Sequence, residues 1–453
     1  MSSQKTPNVL GTENIGNLLW QYSLPAIVAT AASSLYNIID RIFIGHGVGP
    51  LAISGLALTF PLMNLAAAFG SLVGVGASAM ISIRLGEKNR DGAIHILGNA
   101  LFLNVVIGIS YTIIMLSFLD QILFVFGASH ETLPYAKDFM QIILLGNVFT
   151  HIYLGLNSIM RASGYPRQSM ITTLLTVLVN IILAPLFIFY FKWGIKGAAT
   201  ATVCAQFFGT AWGLIHFSNK KHYVHFIRGY FRPKIKIIRE IFSIGISTFI
   251  MFTCASLVVL IMNVTLSKYG GDYAIGAYGI IVSVQSLFTM IVLGFNQGMQ
   301  PIAGYNFGAQ QFKRVKNVFK NTIIAGTCVT CCGFLLSELI PHFVAAAFTT
   351  DQNLIDITSN GMRLSMMMFP IVGFQMVTSN IFQSIGYARI SVILSLSRQV
   401  IFLIPALIIL PRIFSLTGAW LAAPTADLFA STLTFFILRW QFKKLEKQNI
   451  PTD

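Results

Sequence analysis

The stretch ITTLLTVLVNIILAPLFIFYF (Ile171–Phe191) carries no charge from end to end. Wound as an α-helix it spans the hydrocarbon of a bilayer, which takes roughly 20 apolar residues. Phe242–Leu266 reads the same way, and Ile390–Leu410 differs only by one charge, Arg398. The whole chain of 453 residues is 55% hydrophobic and 10% charged, with a mean hydropathy of +0.73. Soluble proteins average about 25% charged residues, so this composition cannot cover a soluble fold. Twelve spans are predicted, near 19–44, 51–82, 95–118, 135–160, 169–191, 195–217, 240–266, 273–308, 319–345, 358–384, 390–411 and 416–439. The fold class is therefore an all-α membrane protein. The first eighteen residues are polar, and the apolar stretch after them is too long for the core of a cleaved signal. The first span is expected to serve as its own insertion signal.

Charge sets the orientation. With the N-terminus inside, the inner loops carry 22 of the 30 Lys and Arg residues and the outer loops 6. Arg41 and Arg398 fall within spans. Basic residues accumulate on the cytoplasmic side, so both termini are expected there, in an inner (cytoplasmic) membrane. The same pattern accounts for the net charge of +15 without nucleic acid as a partner.

The chain repeats itself at an offset of 222 residues. Arg84-Leu85-Gly86 falls on Asn306-Phe307-Gly308, Ala52-Ile53 on Ala274-Ile275, Gly76 on Gly298 and Phe126 on Phe348. Gly164-Tyr165-x-Arg167 falls on Gly386-Tyr387-x-Arg389. Six spans per half is an even number, so both halves enter the membrane from one side and the repeats are parallel. The expected division is an N-terminal lobe (1–217), a basic cytoplasmic linker (218–239), a C-terminal lobe (240–440) and a cytoplasmic tail (441–453). Two such lobes suit a carrier that binds its substrate between them near the midplane.

An ionisable side chain inside a span is expensive and marks function by default. Asp40 in the first span is the leading candidate, with Tyr36 and Asn37 at i−4 and i−3 on the same helical face. Arg41, one position on, points about 100° away and can snorkel outward. Arg398 and Asp427 lie at nearly equal distances from a turn near Ile413. That places them at one depth on neighbouring helices, as a structural ion pair. Met366 and Met376 offer flexible thioethers to varied ligands, although most such methionines only pack. Cys328, Cys331 and Cys332 cluster without a nearby acid or histidine, which points to helix packing and no metal.

The loop RLGEKN (Arg84–Asn89), the loop RASGYPR (Arg161–Arg167), NIILAPLFIF (Asn180–Phe189), GIKGAATAT (Gly194–Thr202), and Pro25 followed by IDRIFIG (Ile39–Gly45) stand in fixed order. Together they resemble the multidrug and toxic compound extrusion (MATE) family, in its bacterial DinF/MepA-like branch, over essentially the whole chain. The resemblance implies a V-shaped exporter of twelve helices, a monomer with no cofactor, that expels drug-like and often cationic compounds against H⁺ or Na⁺. It puts the coupling site on Asp40, Asn180 and Thr202, and substrate contacts on Tyr36 and Asn157. The family commonly has Asp before the fifth-helix proline, where this chain has Ala184. Na⁺ wants several oxygen ligands, so the loss of that acid favours proton coupling.

A lipid or lipid-linked sugar flippase of the same broader superfamily is the alternative. Twelve spans and a nearly uncharged interior argue against it. A membrane enzyme would need clustered His, Asp or Ser, and the eight histidines are scattered. No nucleotide-binding glycine loop is present, so an ion gradient is the expected source of energy.

Overall fold

In hydrocarbon every backbone amide and carbonyl must pair within the segment. The computed structural model describes residues 9–126 and 128–448, leaving out the side chains of Asn37, Ile38, Arg41, Pro50, Ile53, Asp272 and residues 442–448. Every regular element among the described residues is helical. The spans of the N-terminal half are α1 (Ile15–Gly47), α2 (Pro50–Gly86), α3 (Arg90–Ser117), α4 (Leu133–Leu145 with Asn147–Ala162), α5 (Pro166–Pro185) and α6 (Gly194–Ser218). Those of the C-terminal half are α7 (Ile235–Gly271), α8 (Tyr273–Gly308), α9 (Phe312–Leu339) and α10 (Gln352–Met366 with Phe369–Ser384). The segment Ala388–Gln441 turns at Ser415 (φ 52°), which separates α11 from α12. The chain thus forms twelve transmembrane helices in two parallel six-helix repeats.

Irregularities repeat with the register. α4 bends by 55° around Gly146, and α10 bends by 50° around Met367 and Met368, the latter 222 residues on. Short helices, Leu119–Val125 and Pro341–Ala346, follow the third span of each half. The second of these shortens a span. α9, expected to reach 345, stops at Leu339, because Pro341 has no amide hydrogen to continue the ladder. Two boundaries also move outward. α7 begins at Ile235, inside the stretch read as linker, and a turn at Val9–Thr12 precedes α1 where a polar tail was expected.

Three cores set the shape. One lies at the end bearing the basic loops and draws on both halves, joining Leu72, Met80 and Leu85 to Ile241, Met299 and Ile302. The other two belong to one half each. Ile44, Phe139 and Ala198 share one, and Met262, Met366 and Trp420 share the other. The halves therefore converge at the basic face and part toward the opposite face, as a V.

The convergence is two-fold symmetric and needs glycine. A Cβ on Gly86 would stand 1.9 Å from the Tyr305 carbonyl oxygen, and one on Gly308 would stand 2.1 Å from that of Ile83. Each pair is the other shifted by 222. No larger residue permits this backbone approach. Charge adds to the seal. Arg84 stands 3.7 Å from Glu240 across the halves, with both side chains about one third exposed. Arg314 of α9 donates to the carbonyls of Leu10 (3.0 Å) and Glu13 (2.6 Å), and Asn306 donates to Leu10 at 2.9 Å. These carbonyls end the Val9–Thr12 turn, where a cation is favoured. The segment Leu10–Glu13 is thereby fastened to the C-terminal half.

Candidate ion-coupling site

α1, α5 and α6 meet in the N-terminal half away from the shared core. Thr202 of α6 donates its hydroxyl to the Ala198 carbonyl one turn back, at 3.1 Å. With its proton committed, its oxygen accepts from the Asn180 amide of α5 at 3.1 Å. The Tyr36 hydroxyl of α1, 3.2 Å from the same oxygen, is then the donor of that pair. Asn180 also reaches the Tyr36 oxygen at 3.5 Å. Asp40 follows Tyr36 by one turn, is 8% exposed, and brings its charge within Coulombic reach of the Tyr36 hydroxyl. Asn180 and Thr202 are also buried. The group contains one acid and three neutral hydrogen-bonding side chains.

Ala184, one turn beyond Asn180, is fully buried among Leu183, Phe187 and Ala198. The position expected to hold a second acid is thus filled by core packing. Immediately after it, Pro185 ends the α-helical ladder and Leu186–Tyr190 widens into a π-turn. Such turns are frequent beside functional sites. Among the described residues no three His, Cys, Asp or Glu side chains come together to hold a metal. The arrangement sets one carboxylate near hydroxyl and amide groups that are held by hydrogen bonds to one another.

Of the residues expected to touch substrate, Tyr36 belongs to this group, and the side chain of Asn37 lies outside the described residues. Asn157 does not join it. Its amide donates to the Ser169 carbonyl and to Thr173, each at 3.1 Å, and its oxygen accepts from Arg161 at 2.6 Å. Arg161 also donates to Ser169 (2.9 Å) and Ser158 (3.2 Å). Sequence reading left Arg161 in a loop. The structure winds it into the last turn of α4, where Asn157 serves it as a structural acceptor. The i, i+4 spacing of Asn157 and Arg161 was the available signal.

In the C-terminal half, Met366 is fully buried with Met362, Phe369 and Trp420, so it fills a core and presents no surface to a ligand. Met376 is partly buried between two cores. Arg398, in the π-turn Ser397–Leu403, donates through Nε to Asp427 at 2.7 Å. The Asp427 side chain is 8% exposed and that of Arg398 31%.

The MatE family model matches residues 25–186 and 247–408, two segments set apart by the same 222 residues. Multidrug export protein MepA of Staphylococcus haemolyticus is 29% identical over 425 residues, covering 94% of this chain and 93% of its own. The Staphylococcus aureus protein of that name, from strain NCTC 8325, is 30% identical over 426 residues, with 93% of each chain covered. Among solved structures, a MATE protein in complex with MaL6 superposes with a TM-score of 0.92 at 22% identity, over 98% of this chain and 100% of that one. A MOP superfamily transporter from Pyrococcus furiosus, described as having reversed binding-pocket polarity, matches with the same score, identity and coverage.

Proposed function

The chain belongs to the MatE family, and from that premise we propose that it is a multidrug exporter, driving organic and often cationic compounds outward against an inward proton gradient. The curated relatives named as multidrug export proteins support the substrate class. The observation that carries the coupling is the buried group of Asp40, Tyr36, Asn180 and Thr202, with a single titrating acid in one wall of the V. A group that offers one carboxylate suits a proton better than Na⁺, which seeks several oxygen ligands.

Transport runs by alternating access. The basic face is cytoplasmic, as the 22 to 6 loop bias supports, and both termini lie there. The chain then rests closed to the cytoplasm and open outward. Protons reach Asp40 from outside. Release of the drug, protonation of Asp40 and parting of the cytoplasmic seal follow in turn. The lobes 1–217 and 240–440 rock about their junction, and substrate sits against the N-terminal lobe beside Tyr36 and Asn37. Efflux from proteoliposomes, with pH and Na⁺ gradients imposed separately, tests this. Export under a pH gradient alone is expected. Export that demands Na⁺ and ignores pH overturns the coupling assignment.

A further inference from the structure

The connection between α6 and α7 carries more charge than orientation requires, and its geometry is specific. It is pinned to the start of α3 through its backbone and through the side chains of Tyr230 and Lys234, whose ammonium stands 2.9 Å from His95 Nε2. Arg90 donates to the Tyr223 carbonyl at 2.8 Å, the Lys234 amide donates to the Asn99 side chain at 2.8 Å, and Asn99 donates to the Arg232 carbonyl at 3.4 Å. The Tyr230 ring stacks 4.1 Å from that of His95, and its hydroxyl donates to Asp91 at 3.0 Å. A Cβ on Gly98 would stand 2.4 Å from the Tyr230 carbonyl, so the chain lies directly on α3.

This fastening leaves the cations free. Lys220, Lys221, Arg228, Arg232, Lys236 and Arg239 are all exposed, and among the described residues none makes an ion pair or hydrogen bond through its side chain. Among them stand two exposed apolar side chains, Phe231 (37%) and Ile235 (85%). Ile235 opens α7, so this pair stands where a span leaves the hydrocarbon. Unpaired cations beside apolar side chains, at the level of the headgroups, match the two layers of an anionic leaflet.

We propose that residues 220–239 form a docking strip for anionic phospholipid headgroups, with Phe231 and Ile235 entering the acyl boundary and the six cations meeting phosphates. The proposal rests on the cytoplasmic placement of this connection argued above. The bound leaflet would hold the connection against α3 while the lobes move on either side of it.

The test is binding of short-chain phosphatidylglycerol to the full-length protein in neutral detergent, read by native mass spectrometry against phosphatidylcholine and inorganic phosphate. Micelles have no sides, so a wrong orientation cannot mimic a failure of binding. Phosphatidylglycerol should be retained at least tenfold over phosphatidylcholine, and the preference should fall severalfold between 50 and 300 mM salt. Arg232→Gln, Lys236→Gln and Arg239→Gln together should abolish it. The matched triple change at Lys88, Lys313 and Lys320, exposed cations outside the strip, should preserve it. Circular dichroism and gel filtration identify variants that remain folded. If the strip misfolds, Arg228→Gln alone should weaken retention about threefold. Equal loss in both triple variants would reduce the strip to general positive charge and overturn the proposal. Competition by inorganic phosphate at equal concentration would overturn it as well, by making the site one for a free anion.

Discussion

Removing Arg398 should harm the protein more than removing Asp427, although the two share one bond. Breaking a buried ion pair from one side costs about 3–5 kcal/mol in soluble proteins, because the remaining charge is stranded. The two survivors are not equally stranded. Asp427 is 8% exposed, so Arg398→Gln leaves a carboxylate with almost no access to water. That places the loss near the lower end of the range, about 3 kcal/mol. Arg398 is 31% exposed and has a long stem. Asp427→Asn leaves that stem free to carry the guanidinium along α11 toward the headgroups, which reduces the loss to about 1–2 kcal/mol. The double variant strands nothing and should lose less than Arg398→Gln alone. Unfolding in mixed SDS micelles gives the free energies, and a double-mutant cycle gives the coupling. Losses that add to within about 0.5 kcal/mol would refute the pairing energy. A larger loss for Asp427→Asn would refute the exposure argument.

At the coupling site, Asp40→Asn should abolish gradient-driven efflux while the purified protein keeps its gel-filtration profile, and normal efflux by that variant would remove Asp40 from the mechanism. Asn180→Ala and Thr202→Ala each remove neutral hydrogen bonds, worth about 0.5–1.5 kcal/mol apiece, and should slow efflux roughly 2- to 12-fold. Gly308→Val drives a side chain into the Ile83 carbonyl, 2.1 Å from its Cβ. It should therefore shift the resting state away from closure at the basic face, read as faster labelling of a cysteine placed at Ser82. Arg314→Ala should release the Val9–Thr12 turn and speed cleavage there by protease, where an unchanged rate would mean that burial of Leu10 alone holds it.

The spans were legible because an apolar run of bilayer length has one stable form, and the repeat because loops at a constant offset are hard to obtain otherwise. Counting outward from the turn near Ile413 set Arg398 and Asp427 at one depth, since a helical hairpin converts sequence distance into height. Other features depend on what meets a side chain, and no count along the chain supplies that. Met366 reads the same whether it faces a ligand or Trp420. Asn157 looked available because its acceptor role depends on Arg161 folding into the last turn of α4. Leu10 sits in a polar stretch, and only the surface offered by the other half draws it into a core.

The asymmetry of the two halves carries the argument furthest. At the offset of 222, Tyr36 falls on Val258, Asp40 on Met262 and Asn180 on Phe402. The last connection is one residue shorter, with Gly197 falling on Gly418, so Thr202 falls on Ala423. Every member of the buried polar group has an apolar counterpart. The same holds in the other direction for charge, since Arg398 falls on Thr176 and Asp427 on Gln206. The symmetric parts are those the fold requires, namely the glycine approaches at the basic face and the bends of α4 and α10. The asymmetric parts are those that hold charge. A carrier that rocks about a two-fold junction needs matched halves for the motion. It needs only one half to hold the proton, because binding energy at a single site can bias both open states. Under the proposed proton coupling the Arg398–Asp427 pair would stand apart from the mechanism, pairing the charge in the middle of α11 and leaving Asp40 as the acid for the gradient to set.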